Sequence, residues 1–118
     1  VHEAVADPAL ARLTRRLMLD EAAPTLPSTA GLDAAAYADA LLARFANPAL
    51  QHRLAQIAID GSQKLPQRLL GTVRDGYARG AEPVAALLAV SAWMLYATGR
   101  GPAGTSHAVD DPLASTLA

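Results

Sequence analysis

Between residues 52 and 64 the chain collects one side chain of nearly every type that can hold a small polar ligand: His52, Gln56, Asp60, Ser62, Gln63 and Lys64, with a glycine at 61. His52 and Gln56 are separated by one helical turn, and Asp60 follows after another, so a helix through this segment would align the three opposite its leucines. Such a stripe offers donors and a cation to a polyhydroxylated or anionic ligand, and a glycine beside it lets the backbone approach closely. A solvated helix face followed by an ordinary turn would use the same residues, and spacing alone does not separate the two.

Lys64 is the only lysine, set against nine arginines. An ammonium is a compact donor whose pKa burial can lower, properties that guanidinium lacks; a single surface lysine is the simpler explanation. Arg44, in the last turn of a predicted helix, is accounted for by the helix dipole, and Asn47 by capping. Trp93 reads as core. His2 and His107 have no partners at metal-ligand spacing, so no metal site is expected. The chain contains no G-x-G-x-x-G after a strand, no P-loop, no H-E-x-x-H and no G-x-S-x-G, which argues against a free-standing catalyst.

The elements that must position these residues are helices. Four times an acid or asparagine directly precedes proline, at Asp7-Pro8, Asn47-Pro48, Glu82-Pro83 and Asp111-Pro112, a pairing that marks a helix start. The first helix runs from Asp7 and fades near Asp20 to Ala23, and residues 24–31 form a loop. A second spans Asp33 to Ala46, with Tyr37, Leu41 and Phe45 in one row. The third begins at Asn47-Pro48, buries Leu50, Leu54, Ile57 and Ala58, and ends at Asp60-Gly61. Pro66 opens a fourth, which ends at Gly80. The fifth, from Glu82, is apolar on nearly all sides, which makes it the helix the others pack around; a short last helix follows Asp111-Pro112.

Composition agrees. Of 118 residues, 28 are alanine and 18 leucine, whereas valine, isoleucine and threonine together supply 15, so an all-α single domain is expected. The net charge of −1 lacks the basic excess of a nucleic-acid binder. The absence of cysteine removes disulfides, thiolate metal sites and a cysteine nucleophile. Residues 83–99 are uncharged but alanine-rich and only at the lower limit of about 17 residues for a membrane span, so a buried helix is expected there. The start, Val1-His2-Glu3-Ala4, has neither a secretory leader nor an initiator methionine, which reads as a fragment.

Arg44-Phe45-Ala46-Asn47-Pro48, followed by residues 56–68 with the run D-G-S-Q-K-L-P-Q-R, resembles the C-terminal domain of the mannitol dehydrogenase and fructuronate reductase family of long-chain polyol dehydrogenases. Val1-His2-Glu3 with Asp7-Pro8, the E-A-A-P-T-L segment at Glu21 to Leu26, Gly31-Leu32-Asp33 with Tyr37, Ala92-Trp93-Met94 and Asp110-Asp111-Pro112-Leu113 extend the resemblance over nearly the whole chain. It implies an oxidoreductase that moves a hydride between nicotinamide and a hexitol such as mannitol, or that reduces a ketouronate such as fructuronate. The implied architecture is a helical domain similar to that of 6-phosphogluconate dehydrogenase, joined to an N-terminal Rossmann domain that binds most of the NAD or NADP, in a cytoplasmic enzyme. No membrane, nucleic-acid or metal partner is implied.

The family's K-x4-N-x2-H catalytic motif is absent, because Lys64 is followed by Leu69 and Thr72 at those positions. Residues 1–118 are therefore expected to be a substrate domain lacking the Rossmann domain and the catalytic residues, inactive alone. By resemblance, Lys64 and Gln56 match positions lining the polar end of the substrate, and the expected contact set is Lys64, Gln56, Arg44, His52, Asp60, Ser62 and Arg68. Glutamine at 56, where some mannitol-specific members carry a cation, leaves substrate identity open, and Arg44, Lys64 and Arg68 suit a carboxylate. The alternative from another class is a non-catalytic helical interaction module.

Overall fold

The computed structural model describes residues 2–27, 31, 33–49, 53–101 and 104–117, and among these the regular structure is helical apart from one isolated β-bridge between Arg100 and Ser106. Helix α1 (His2–Ala6) leads into α2 (Pro8–Arg16), where Asp7 accepts from the amides of Ala9 at 2.7 Å and Leu10 at 3.2 Å, with Pro8 at the first helical position. The chain continues through a π-helical stretch, Leu17–Ala22, and a 3₁₀ turn, Ala23–Thr25, before Leu26 becomes extended. Helix α3 (Ala34–Phe45) is capped in the same way by Asp33, which accepts from Ala35 and Ala36. In both cases a carboxylate satisfies amides that have no partner within the helix.

The predicted third helix is shorter than its sequence pattern. Asn47 accepts from the amide of Ala49 and closes a turn, Arg53 is extended, and only α4 (Leu54–Ala58) is helical. Leu54 and Ile57 are 58% and 50% exposed rather than buried. A five-residue helix without a covered apolar face gains little from packing, which is where most helical stability in proteins arises. The fourth helix starts earlier than predicted: α5 (Gly61–Leu65) runs through a π-helical stretch, Pro66–Leu70, into α6 (Gly71–Ala78). Pro66 therefore lies inside a helical run. It has no N–H and its ring crowds the carbonyl four residues back, a conflict that a widened π turn relieves.

Helix α7 (Val84–Ala97) is not capped by Glu82. The carboxylate of Glu21 accepts from Ala85 at 2.7 Å and Ala86 at 2.8 Å, across 64 residues of sequence, while Pro83 occupies the position before the helix. Asp111 accepts from Leu113, and the last helix, α8, is confined to Ala114–Leu117.

The core is made of small residues. Ala38, Ala85, Ala86 and Ala97 are buried, and Pro83 is the largest fully buried side chain. A Cβ on Gly76 would stand 3.3 Å from that of Pro83, so glycine lets α6 approach the start of α7. The alanine excess thus produces closely approaching helices rather than a wide apolar centre. Helix α7 is correspondingly buried on one side only. Leu88, Met94 and Leu95, which sequence placed at the centre of the bundle, are 52%, 61% and 69% exposed along the opposite face. The radius of gyration, 15.4 Å, exceeds the roughly 13.5 Å of a compact chain of this length.

Candidate functional site

Gly61, Lys64, Leu65, Arg68 and Leu69 fall on one side of the continuous helical run α5–α6, and α7 brings Ala89 and Trp93 against them. With Ile57 and Ala58 of α4 they line a groove of about 320 Å³. Its walls are mostly apolar. Among the described residues, Lys64 and Arg68, one turn apart, are the charged ones on it, and neither an acid nor an amide side chain lines it.

Lys64 is not a freely extended cation. Its ammonium donates to the carbonyl of Ile59 and, at 3.5 Å, to that of Ile57, so it satisfies two carbonyls at the end of α4. Such carbonyls lack partners within a helix and attract positive charge. The contact holds the turn in which Asp60 adopts a left-handed backbone, φ 57°, uncommon for a residue other than glycine. The Arg68 guanidinium has no acceptor among the described residues and stands exposed at the groove's rim.

Gly61 is dictated by Trp93. A Cβ at this position would lie 1.9 Å from the indole Nε1, so only glycine allows the ring to seat against the start of α5. Trp93, read from sequence as core, is half-buried and forms part of the groove wall.

The other expected site residues are placed differently. Gln56 accepts through Oε1 from the Arg53 amide at 3.1 Å, capping α4, and it does not line the groove. Asp60 acts through its backbone: its amide donates to Asp110 at 3.1 Å, and its carbonyl accepts from Gln63 and Lys64. The Ser62 amide donates to the Asp111 carboxylate at 2.7 Å, which ties the D-G-S segment to the C-terminal stretch rather than to the groove. Burial raises the Asp111 pKa, but the hydrogen bonds from Ser62 and Leu113 outweigh it and hold the carboxyl below its ordinary value. Arg44 is exposed in the last turn of α3, away from the groove lining. His52 lies outside the described residues. Of the helical stripe expected from His52, Gln56 and Asp60, the two described members, Gln56 and Asp60, do not line the groove; Lys64 and Arg68 are the expected residues found on it.

Sequence reasoning did not single out Ile57 or Trp93 as groove residues. The available signal was the glycine of D-G-S, whose need for close approach identifies no partner until α7 is folded back. The nicotinamide cofactor implied by the resemblance finds no cradle among the described residues. Nucleotide phosphates are commonly held by free amides at a helix N-terminus after a strand. Here the starts of α2, α3 and α7 are occupied by Asp7, Asp33 and Glu21. Likewise, among the described residues no three His, Asp or Glu side chains converge as a metal site, and no helix is long and apolar enough to cross a membrane.

Comparison with known proteins places this arrangement. The model of the mannitol dehydrogenase C-terminal domain matches residues 1–118. D-mannonate oxidoreductase of Escherichia coli (strain K12) is 44% identical over 113 residues, covering 96% of this chain and 23% of the relative. Mannitol 2-dehydrogenase of Phaeosphaeria nodorum is 33% identical over 117 residues, 99% of this chain and 21% of the relative. Among solved structures, Pseudomonas fluorescens mannitol 2-dehydrogenase, in a ternary complex with NAD and D-mannitol, superposes with a TM-score of 0.91 at 34% identity, over 98% of this chain and 24% of that one. The chain thus spans less than a quarter of the length of these relatives. From the motif run, the helical fold and these matches together, the chain belongs to the mannitol dehydrogenase C-terminal domain family.

Proposed function

We propose that residues 1–118 form the substrate-binding C-terminal domain of an NAD(P)-dependent oxidoreductase that interconverts a hexitol and a ketohexose, or an aldonate and a ketouronate. The observation that carries this reading is the groove in which Lys64 and Arg68 stand together with no acidic side chain among the described lining residues, within a domain similar over almost its whole length to mannitol and mannonate oxidoreductases. Lys64 contributes positive charge and its remaining N–H to the polar end of the substrate. Gln56, which faces away in a cap, reaches substrate only if that cap opens. The nicotinamide, its binding domain and the catalytic base belong to a preceding part of a longer chain. The exposed apolar face of α7 supports that division, since a stripe of this kind on a small domain marks a surface that another element covers.

The test uses the complete open reading frame that encodes this domain. Purified enzyme should oxidise NADH or NADPH with D-fructose or D-fructuronate, and Lys64→Ala should raise the KM for the sugar about tenfold while cofactor KM changes less than twofold. Absence of turnover with either substrate overturns the reading. Unchanged sugar kinetics in Lys64→Ala overturns the role of Lys64.

A further inference from the structure

Hexitols and sugar acids differ in one respect that a site can read from charge: a terminal CH2OH in one is a carboxylate in the other. A groove for a neutral polyol needs acceptors as well as donors, because every hydroxyl donates as well as accepts. Among the described residues, the groove between α5 and α7 supplies no acceptor side chain. The two cations among its described lining residues are not equivalent. Lys64 is held by the carbonyls of Ile57 and Ile59. Arg68 has no carboxylate, carbonyl or side-chain acceptor for its guanidinium among the described residues, although it sits one turn from Lys64, where two like charges repel.

An unpaired guanidinium beside a second cation, against walls formed by Leu65, Leu69 and Trp93, has five donors in a planar fork that matches a carboxylate. Lys64, one turn away on the same wall, adds its charge and its remaining N–H to the attraction. The Trp93 ring, seated on Gly61, fixes the side of the groove opposite Arg68's helix.

We propose that Arg68 is the specificity-determining residue of this groove and anchors the carboxylate of a sugar acid, so that the substrate is an aldonate and ketouronate pair rather than a hexitol and ketohexose pair. This rests on the reading of the domain as the substrate domain of a sugar oxidoreductase.

The complete enzyme is assayed with D-fructuronate and D-fructose under NADH or NADPH. Wild type should favour the ketouronate by at least 100-fold in kcat/KM, and the KM for the ketouronate should rise with ionic strength. Arg68→Gln should raise that KM about 10- to 100-fold, the range expected on losing hydrogen bonds to a charged group. The loss on the ketouronate should exceed any loss on fructose about tenfold, and the cofactor KM should change less than the ketouronate KM. Arg68→Lys, which keeps the charge without the fork, should recover part of the loss. A wild-type preference for fructose, or an Arg68→Gln loss shared equally by both sugars, overturns the assignment while leaving the oxidoreductase reading intact. No turnover of either sugar overturns both.

Discussion

The start of α7 and the end of α4 are both closed by a charged side chain from outside the helix, and they differ in what is left over. At the start of α7 both oxygens of Glu21 take an amide, the side chain is buried, and Arg16 stands 3.6 Å away. At the end of α4 Lys64 takes two carbonyls, but it remains on the wall of a groove with a donor and a charge still available. Both follow the same electrostatics of an anion at the amino end and a cation at the carboxyl end. The first is consumed by structure, in surroundings of alanine and Pro83. The second lies where large apolar side chains are half-exposed and a second cation stands unpaired.

The largest expected effect breaks the first junction. Glu21→Ala leaves the Ala85 and Ala86 amides buried without acceptors and should destabilise the fold by about 3 kcal/mol, seen as a lowered urea midpoint. Glu21→Gln should recover roughly half of that loss, and a loss of under about 0.5 kcal/mol in the alanine variant shows that the junction does not hold α7.

Gly61→Ala sets a methyl against the indole and should cost about 2 kcal/mol, as overpacking does. Trp93 is the chain's single tryptophan, so its fluorescence should shift in the same variant. An unchanged spectrum contradicts the seating of the ring on Gly61.

At the second junction, Lys64→Met should cost only about 1 kcal/mol, the worth of one helix-end charge with its hydrogen bonds, while the sugar KM rises about tenfold. Equal stability losses for Lys64→Met and Glu21→Ala erase the contrast between the two ends.

The smallest effect concerns acid. The folded pKa of Asp111 is lowered from 3.8, so the carboxylate's contribution to stability is full above that value and fades as pH falls below it through the folded value. Wild type and Asp111→Asn should therefore differ most at neutral pH and converge as pH falls through the folded value, in acid unfolding followed by circular dichroism. A gap that persists at pH 2 shows that the Ser62 tie does not depend on the carboxylate's charge.

These contrasts also measure what could be read in advance. Asp7 and Asp33 were legible as caps because their partners lie two or three residues on. The neighbourhood of Lys64 and Arg68 was legible because four residues make one turn. Glu82-Pro83 was legible as the start of α7, but the carboxylate that closes that start is Glu21, which arrives from 64 residues away. Gln56 was assigned to the ligand face, whereas a bond to the amide three residues before it turned it into a cap. Trp93 was assigned to the core because helix α7 is apolar all round, a pattern that does not say which face finds a neighbour.

By itself, the amino-acid sequence determined what is local: helical content, from alanine and leucine; two carboxylate caps, from bonds within one turn; and family membership, from the contiguous D-G-S-Q-K-L-P-Q-R run. The tertiary structure decided which side of α7 is covered, that Glu21 closes its start, and that Gly61 and Trp93 meet across 32 residues to complete the groove. Those outcomes depend on how closely helices can approach. That distance is set jointly by small residues at 38, 61, 76, 85 and 86, which become neighbours only after the chain has folded.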